Sequence, residues 1–224
     1  MKRNRCKKIA AALLCMVMGC TTLGQGFSAA AADATTSEEE VEINFAKALQ
    51  MSLYFYDANK CGSGITGGNL EWRGDCHTED AAVPLKPMGE DYKGTNLSQK
   101  FIDAHRDILD PDGDGTIDVA GGMHDAGDHV KFCLPGSYAA STLGWGYYEF
   151  RDAYVDSGQQ WHIEDILHWF NDYYLKCTYF DENGDILAFC YQVGEGNIDH
   201  NYWNAPELQN ESLLDFARPA YFAT

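Results

Sequence analysis

Between Cys61 and Gly121 the chain is interrupted by Gly62, Gly64, Gly67, Gly68, Gly74, Pro84, Pro87, Gly89 and Gly94, so no long helix or strand can run through this stretch. A compact fold must therefore be built from the segments on either side, with this region as a long excursion. Loops of this length in compact domains are functional or disordered. The aromatic and cysteine residues here argue against disorder. One short helix is expected inside it, from Asn96 to Asp110, around Phe101, Ile102, His105 and Leu109.

The flanking segments read as helices. From Glu42 onward, Ile43, Ala46, Leu49, Leu53 and Tyr56 recur at three- and four-residue intervals and form one apolar stripe. Tyr138 to Tyr154 gives a second helix through Leu143, Tyr147, Phe150 and Tyr154, with Gly144 and Gly146 lowering its propensity. After an Asp156-Ser157-Gly158 stop, Gln160 to Lys176 gives a third, with Ile163, Ile166, Leu167, Phe170, Tyr173 and Tyr174 on a broad apolar face. The short connection makes these two antiparallel neighbours. Asn183-Gly184 between apolar runs predicts a β-hairpin. Positions whose numbers sum to 367 would pair across it, which sets Cys177 opposite Cys190 and predicts a disulfide there.

Lys2, Arg3, Arg5, Lys7 and Lys8 precede an apolar run from Ile9 to Met18 and a small-residue patch from Ser28 to Ala32. This is the order of a secretory signal peptide, cleaved near Ala32, and it implies a secreted, extracellular protein. Val17-Met18-Gly19-Cys20 loosely resembles a lipid-attachment site, with Met18 a poor fit. Residues 33–41 read as an acidic linker, and 42–224 as the folded domain. Removing residues 1–32 takes away five of the 16 basic residues and none of the 34 acidic ones, leaving a formal charge of −23. That surface repels nucleic acid and anionic membranes and is compatible with a neutral partner such as a polysaccharide. The five remaining cysteines are too scattered for a disulfide scaffold. No CxxC occurs, so a structural zinc site is not expected.

Gly122-Met123-His124-Asp125-Ala126-Gly127-Asp128-His129 concentrates polar chemistry directly before an apolar segment. Asp125 and Asp128 on one tight loop can both reach a single water, one as general base and the other orienting it. Spacing alone favours a turn whose aspartates cap backbone amides. Metal ligation by His124 and His129 with the aspartates matches no standard motif. Asp110, Asp112 and Asp114, followed by Gly115, Thr116 and Asp118, keep the ligand order of an EF-hand-type calcium loop. Gly121 stands where the bidentate Glu belongs, so the stretch reads as a weakened Ca2+ loop or a plain acidic turn. Trp203, in a polar irregular stretch, suits stacking against a sugar ring, and Trp72 is a weaker candidate of the same kind.

The ordered set Trp72-Arg73-Gly74-Asp75, Gly121 to Phe132, Leu143-Gly144-Trp145-Gly146 and Tyr191-Gln192-Val193-Gly194 closely resembles glycoside hydrolase family 9, a family of cellulases. Asp199-His200, Trp203, Pro206-Glu207 and Arg218 to Tyr221 continue the match. The resemblance implies an all-α (α/α)6 barrel, incomplete in this chain, with long loops and a short β-hairpin. It also implies inverting hydrolysis of β-1,4-glucan, with cellulose as partner and no organic cofactor. Asp128 takes the position of the base and Asp125 that of the water-holding carboxylate, while His200 and Trp203 take positions lining the sugar cleft. The family's acid is a Glu near the end of its domain. Nothing in the sequence places Glu207 or Glu211 in that role, so the chain is expected to carry the base side only. A non-catalytic glucan-binding protein is the alternative.

Overall fold

The computed structural model describes residues 43–209 and 217–224. The expectations for the signal peptide, lipid attachment, the acidic linker and Glu211 lie outside them.

Helix α1 (Phe45–Asn59) begins where the Asn44 side chain accepts the Lys47 N–H at 2.9 Å. Leu53 is its buried anchor, while Ile43, at the start of the expected stripe, is exposed. The excursion that follows contains β1 (Val83–Pro84), α2 (Gln99–Ala104), α3 (Arg106–Leu109) and β2 (Thr116–Ile117). The single helix expected at 96–110 is thus two short ones, meeting at His105. Strands β1 and β2 pair antiparallel, Val83 opposite Ile117.

Strand β3 (Lys131–Phe132) runs straight into α4 (Cys133–Glu149). That helix starts five residues before the expected Tyr138. Pro135 falls in its first turn, where a missing N–H removes no helical hydrogen bond. The chain breaks at Phe150, and α5 (Arg151–Asp156) follows. Of α4 only Cys133 is buried, and Leu134, Tyr138, Trp145 and Tyr148 are exposed by 71–84%. Helix α6 (Gln160–Lys176) has the expected bounds and buries Ile163, Ile166, Phe170 and Tyr173. Ile163, Ile166 and Phe170 cluster with Tyr154 from α5 and Leu53 from α1, against Leu143 and Tyr147 of α4, while Tyr173 joins a second core beside the strands.

Strands β4 (Thr178–Phe180) and β5 (Ile186–Val193) form the expected hairpin. Thr178 faces Phe189 and Tyr179 faces Ala188, the predicted register, before a bulge shifts Phe180 to Ile186. Helix α7 (Gly196–Asp199) and β6 (Ala220–Ala223) complete the described elements. Strand β5 pairs with β3, β4 and β6, so the described residues carry a four-stranded sheet beside the helices, in addition to the β1–β2 pair. Because β3 pairs Lys131 with Val193 at the end of β5, the loop before β3 and the stretch after β5 are brought together.

Cys190 N–H donates to Cys177 O at 2.9 Å, so the two cysteines do lie opposite one another. The disulfide expected there is not formed: all five described cysteines are free and buried. Cys177 is the C-cap of α6 with helical backbone angles, not a member of the pleated ladder. Among the described residues no helix is long and apolar enough to cross a membrane.

Candidate active site

The loop carrying Asp125 and Asp128 is held at both ends. At its entrance His124 N–H donates to Asn59 O (2.8 Å), while Gly122 O accepts both Cys61 N–H (2.9 Å) and Trp169 Nε1–H (2.8 Å). At its exit Asp125 N–H donates to Val130 O (3.0 Å), closing a turn with the aspartates at its tip. The capping expected of a plain turn is weak: Ala126 N–H reaches Asp128 Oδ1 only at 3.4 Å.

The two carboxylates differ. Asp128 is buried, and its Oδ2 faces His200 Nε2 at 2.5 Å. Asp125 is exposed and borders an open groove of about 220 Å³ with Tyr56, Met123, Phe132 and Ala139. Partial burial, reinforced by the Asp128 charge, raises the Asp125 pKa above the usual aspartate range, with His200 opposing. Trp203 lies on the same loop. A Cβ added at Gly127 would meet the indole at 3.1 Å, and Trp203 Nε1–H donates to His200 O at 2.7 Å. The indole is 67% exposed, leaving its other surface open. The structure therefore gathers Asp125, Asp128, His200 and Trp203. Trp72 is exposed and is not part of this group.

The network beneath them was not legible in the sequence. Asp199 is buried; its Oδ1 accepts His129 N–H (2.8 Å) and its Oδ2 accepts Gln209 Nε2–H (3.0 Å). The dipeptide Asp199-His200 thus grips the loop twice, at the backbone beside Asp128 and at the Asp128 carboxylate. Arg218 donates to His129 O and to both oxygens of Asp80, which also pairs with Lys131 Nζ at 2.8 Å. Asp80 is fully buried. Desolvation opposes its ionisation, but the Arg218 and Lys131 charges prevail and hold it far below the usual carboxylate range.

Both loop histidines point inward, which removes the reading in which they join the aspartates around a catalytic metal. His129 Nδ1 donates to Gln209 Oε1 at 3.0 Å. His124 belongs to a different cluster. Ligand atoms of Cys61, Cys76, His77 and His124, all buried, lie within 4.8 Å of one another. His77 Nδ1 sits 3.2 Å from His124 Nε2, and its outer Nε2 bonds Gln209 Oε1. Two thiols and two imidazoles, one oriented by an outer hydrogen bond, fit a closed tetrahedral zinc site. Burial pushes the His124 pKa down to about 4, so its ring is neutral, as a ligand must be. These donors come from separate turns, an arrangement that a search for CxxC does not cover. The adjacent Cys76-His77 was the available signal.

Among the acidic loop residues, Asp110, Asp112 and Asp114 come together. Asp118 does not join them: it pairs with Lys176 at 3.0 Å and caps Ala120 N–H. Glu207 is also accounted for. It accepts from Arg73 Nε (2.7 Å) and Gly74 N–H (2.8 Å). Burial works against its charge, but these bonds prevail and hold its pKa below the usual glutamate range. A glutamate kept ionised this way cannot serve as a proton donor at neutral pH.

The glycosyl hydrolase family 9 model matches residues 45–224. The catalytic domain of Clostridium thermocellum CelT is 54% identical, with a TM-score of 0.73, over 81% of this chain and 35% of that one. The cellulase Cel9M of C. cellulolyticum is 37% identical, with a TM-score of 0.56, over 81% and 34%. Endoglucanase A of Bacillus pumilus is 32% identical over 84% of this chain and 22% of its own length. The chain thus spans about a third of these solved structures and about a fifth of that relative. It belongs to glycosyl hydrolase family 9, whose barrel the arrangement of α1, α4 and α6 fits.

Proposed function

We propose that this chain supplies the base side of an inverting β-1,4-glucanase acting on cellulose. The observation that carries the reading is the asymmetric pair on one tight loop: buried Asp128 against His200, exposed Asp125 facing the groove, and Trp203 across the loop tip. Asp128 takes a proton from water while Asp125 holds that water, and Trp203 stacks on the sugar. His200 and the Asp199 anchor fix the base in place. Inversion requires a separate acid roughly 6.5–9.5 Å from the base, leaving room for the water. Glu207, committed to Arg73, is not that acid, so the acid comes from outside the described residues. The exposed apolar side chains of α4 are in keeping with a ring of helices that further polypeptide completes. On this reading the chain is secreted and turns over little cellulose by itself.

The test compares two proteins on carboxymethylcellulose. One is this chain; the other carries residues 45–224 in place of the matching third of the CelT catalytic domain. The chimera should release reducing sugar, its first product being the α-anomer by NMR. The isolated chain should be slower by about 10²-fold or more, the usual cost of a missing general acid. Turnover by the isolated chain at the chimera's rate would refute the division of labour. A β-anomer would refute inversion.

A further inference from the structure

The geometry points to a second saccharide-binding site, on the side of α6 and apart from the Asp125 groove, that holds one pyranose ring of a neutral glucan. It is a cavity of about 170 Å³ between α6, the end of α1 and the loop of residues 64–73, bordered by Trp161, Asp165, Trp169, Asp57, Lys60 and Asn69. None of its lining residues borders the groove of Asp125. Tyr56 and Asn59 of α1 face that groove, whereas Asp57 and Lys60 face this cavity. The size suits a single six-membered ring, since a cavity of about 150 Å³ holds benzene.

Trp161, Asp165 and Trp169 occupy positions i, i+4 and i+8 of α6, one ridge of the helix, with the two indoles about two turns apart. Trp161 is 56% exposed. One face of its indole lies parallel to the buried His162 ring, at 14° with centroids 5.0 Å apart. His162 is fixed in turn, Nε2–H donating to Asp57 Oδ2 at 2.6 Å. The indole is thus backed on one face and open on the other, a platform that a ligand need not order. Trp169 is half-buried and held by Gly122 O, with Lys60 Nζ 4.9 Å from its ring centroid.

The polar groups select the class of ligand. Asp57 Oδ2 also accepts Asn69 Nδ2–H at 3.0 Å, but Oδ1 is buried and accepts no hydrogen bond, although Lys60 Nζ stands 3.1 Å away. A buried carboxylate oxygen in that state calls for a polar group from outside the chain. Asp165 gives Oδ2 to Lys60 Nζ at 2.5 Å and, half-exposed, offers its other oxygen at the rim. The walls carry two carboxylates, Asp57 and Asp165, against two cations, Lys60 and Arg73, and Arg73 is further neutralised by Glu207. With no surplus charge the cavity suits a neutral ligand. Aromatic walls with a few hydrogen-bonding groups fit a pyranose, whose C–H face stacks while its hydroxyls bond at the edge. Choosing β-1,4-glucan among the neutral saccharides rests on the substrate proposed above; the cavity itself does not depend on the role of Asp128. One ring held in an open cavity gives a Kd on the order of 10⁻³ M.

Titration of the full chain with cellotetraose, followed by NMR of its indole N–H groups, tests the assignment. The signals of Trp161, Trp169 and Trp203 are assigned by single Trp→Phe substitutions. The Trp161 signal should move along a saturable curve with a Kd in the class above. Trp161→Ala removes an exposed side chain, so it should fold normally; it should weaken the response at Trp169 by about tenfold or more and leave that at Trp203 unchanged. Trp161→Tyr keeps a platform and should stay within a few-fold of wild type. A Trp161 signal that stays still while Trp203 responds would overturn this site and leave the catalytic reading standing. Movement at Trp161 with none at Trp203 would support the site and count against the sugar cleft instead. Silence at both would overturn the site, as would an equal shift with glycerol at the same concentration, which carries no ring to stack.

Discussion

Replacing Gly122 by alanine tests whether the loop carrying Asp125 and Asp128 is seated by steric fit. Gly122 has φ +76°, a left-handed conformation that costs an L-residue about 1–2 kcal/mol. Reduced freedom of the unfolded chain returns about 0.4–1 kcal/mol of this. Gly158 has nearly the same φ, +70°, with nothing within 4 Å of an added Cβ, so Gly158→Ala isolates that backbone effect. At Gly122 the Cβ would also sit 2.7–2.9 Å from three carbons of the Tyr173 ring. The ring cannot easily retreat. Tyr173 is buried in the sheet-side core with Cys133 and Cys177, and Lys131 Nζ lies 4.9 Å from its centroid. Nor can the backbone, since Gly122 O is fixed by Cys61 and Trp169. Overpacking of this kind adds about 1–3 kcal/mol. For a domain of this size each kcal/mol moves the melting temperature by about 2–4 °C. Circular-dichroism melts should therefore place Gly122→Ala about 2–12 °C below Gly158→Ala. Coincident melts would show that Tyr173 yields freely and that fit does not seat the loop.

Further outcomes follow from the same geometry. Trp203→Ala should weaken binding to insoluble cellulose in a pull-down by about tenfold or more, since one aromatic platform is worth about 1–3 kcal/mol of packing; unchanged binding would remove Trp203 from the sugar surface. Metal analysis should find one zinc per chain, lost in Cys76→Ala together with thermal stability; a stable wild-type chain without metal would contradict the cluster's assignment. Glu207 has its pKa lowered by folding, so its contribution is present above the ordinary glutamate range and is lost as pH falls through the folded value. The melting deficit of Glu207→Gln should accordingly shrink between about pH 6 and pH 3; a deficit constant with pH would dissociate it from the Arg73 ion pair. Thiol titration of the denatured polypeptide from residue 43 onward should find five free thiols, and a count of three would restore the disulfide between Cys177 and Cys190.

Legibility in the sequence followed burial. Helix α6 was readable to the residue because five of its side chains are buried on one stripe. The hairpin was readable because Asn183-Gly184 fixes its register, and the bulge at Phe180 enters only after two correct pairs. Helix α4 was misplaced because it buries only Cys133, so no apolar periodicity marked its first turn, and Pro135-Gly136 resembled a break. At the site, Asp125, Asp128, His200 and Trp203 were named from motifs, and the fold brings them together. What supports them was hidden, because Asp80, Lys131, Asp199, Gln209 and Arg218 meet only through tertiary packing. The group of Cys61, Cys76, His77 and His124 was hidden for the same reason: Cys61 and His124 are 63 positions apart along the chain yet meet in the fold.

The proposed division of labour turns on Asp128 as the base. Its most direct test is the kcat of the chimera carrying Asp128→Asn, an isosteric change that keeps the contact with His200 but cannot take a proton. A loss of about 10²–10⁴-fold is expected, with KM little changed. A kcat within a few-fold of the parent chimera would contradict it.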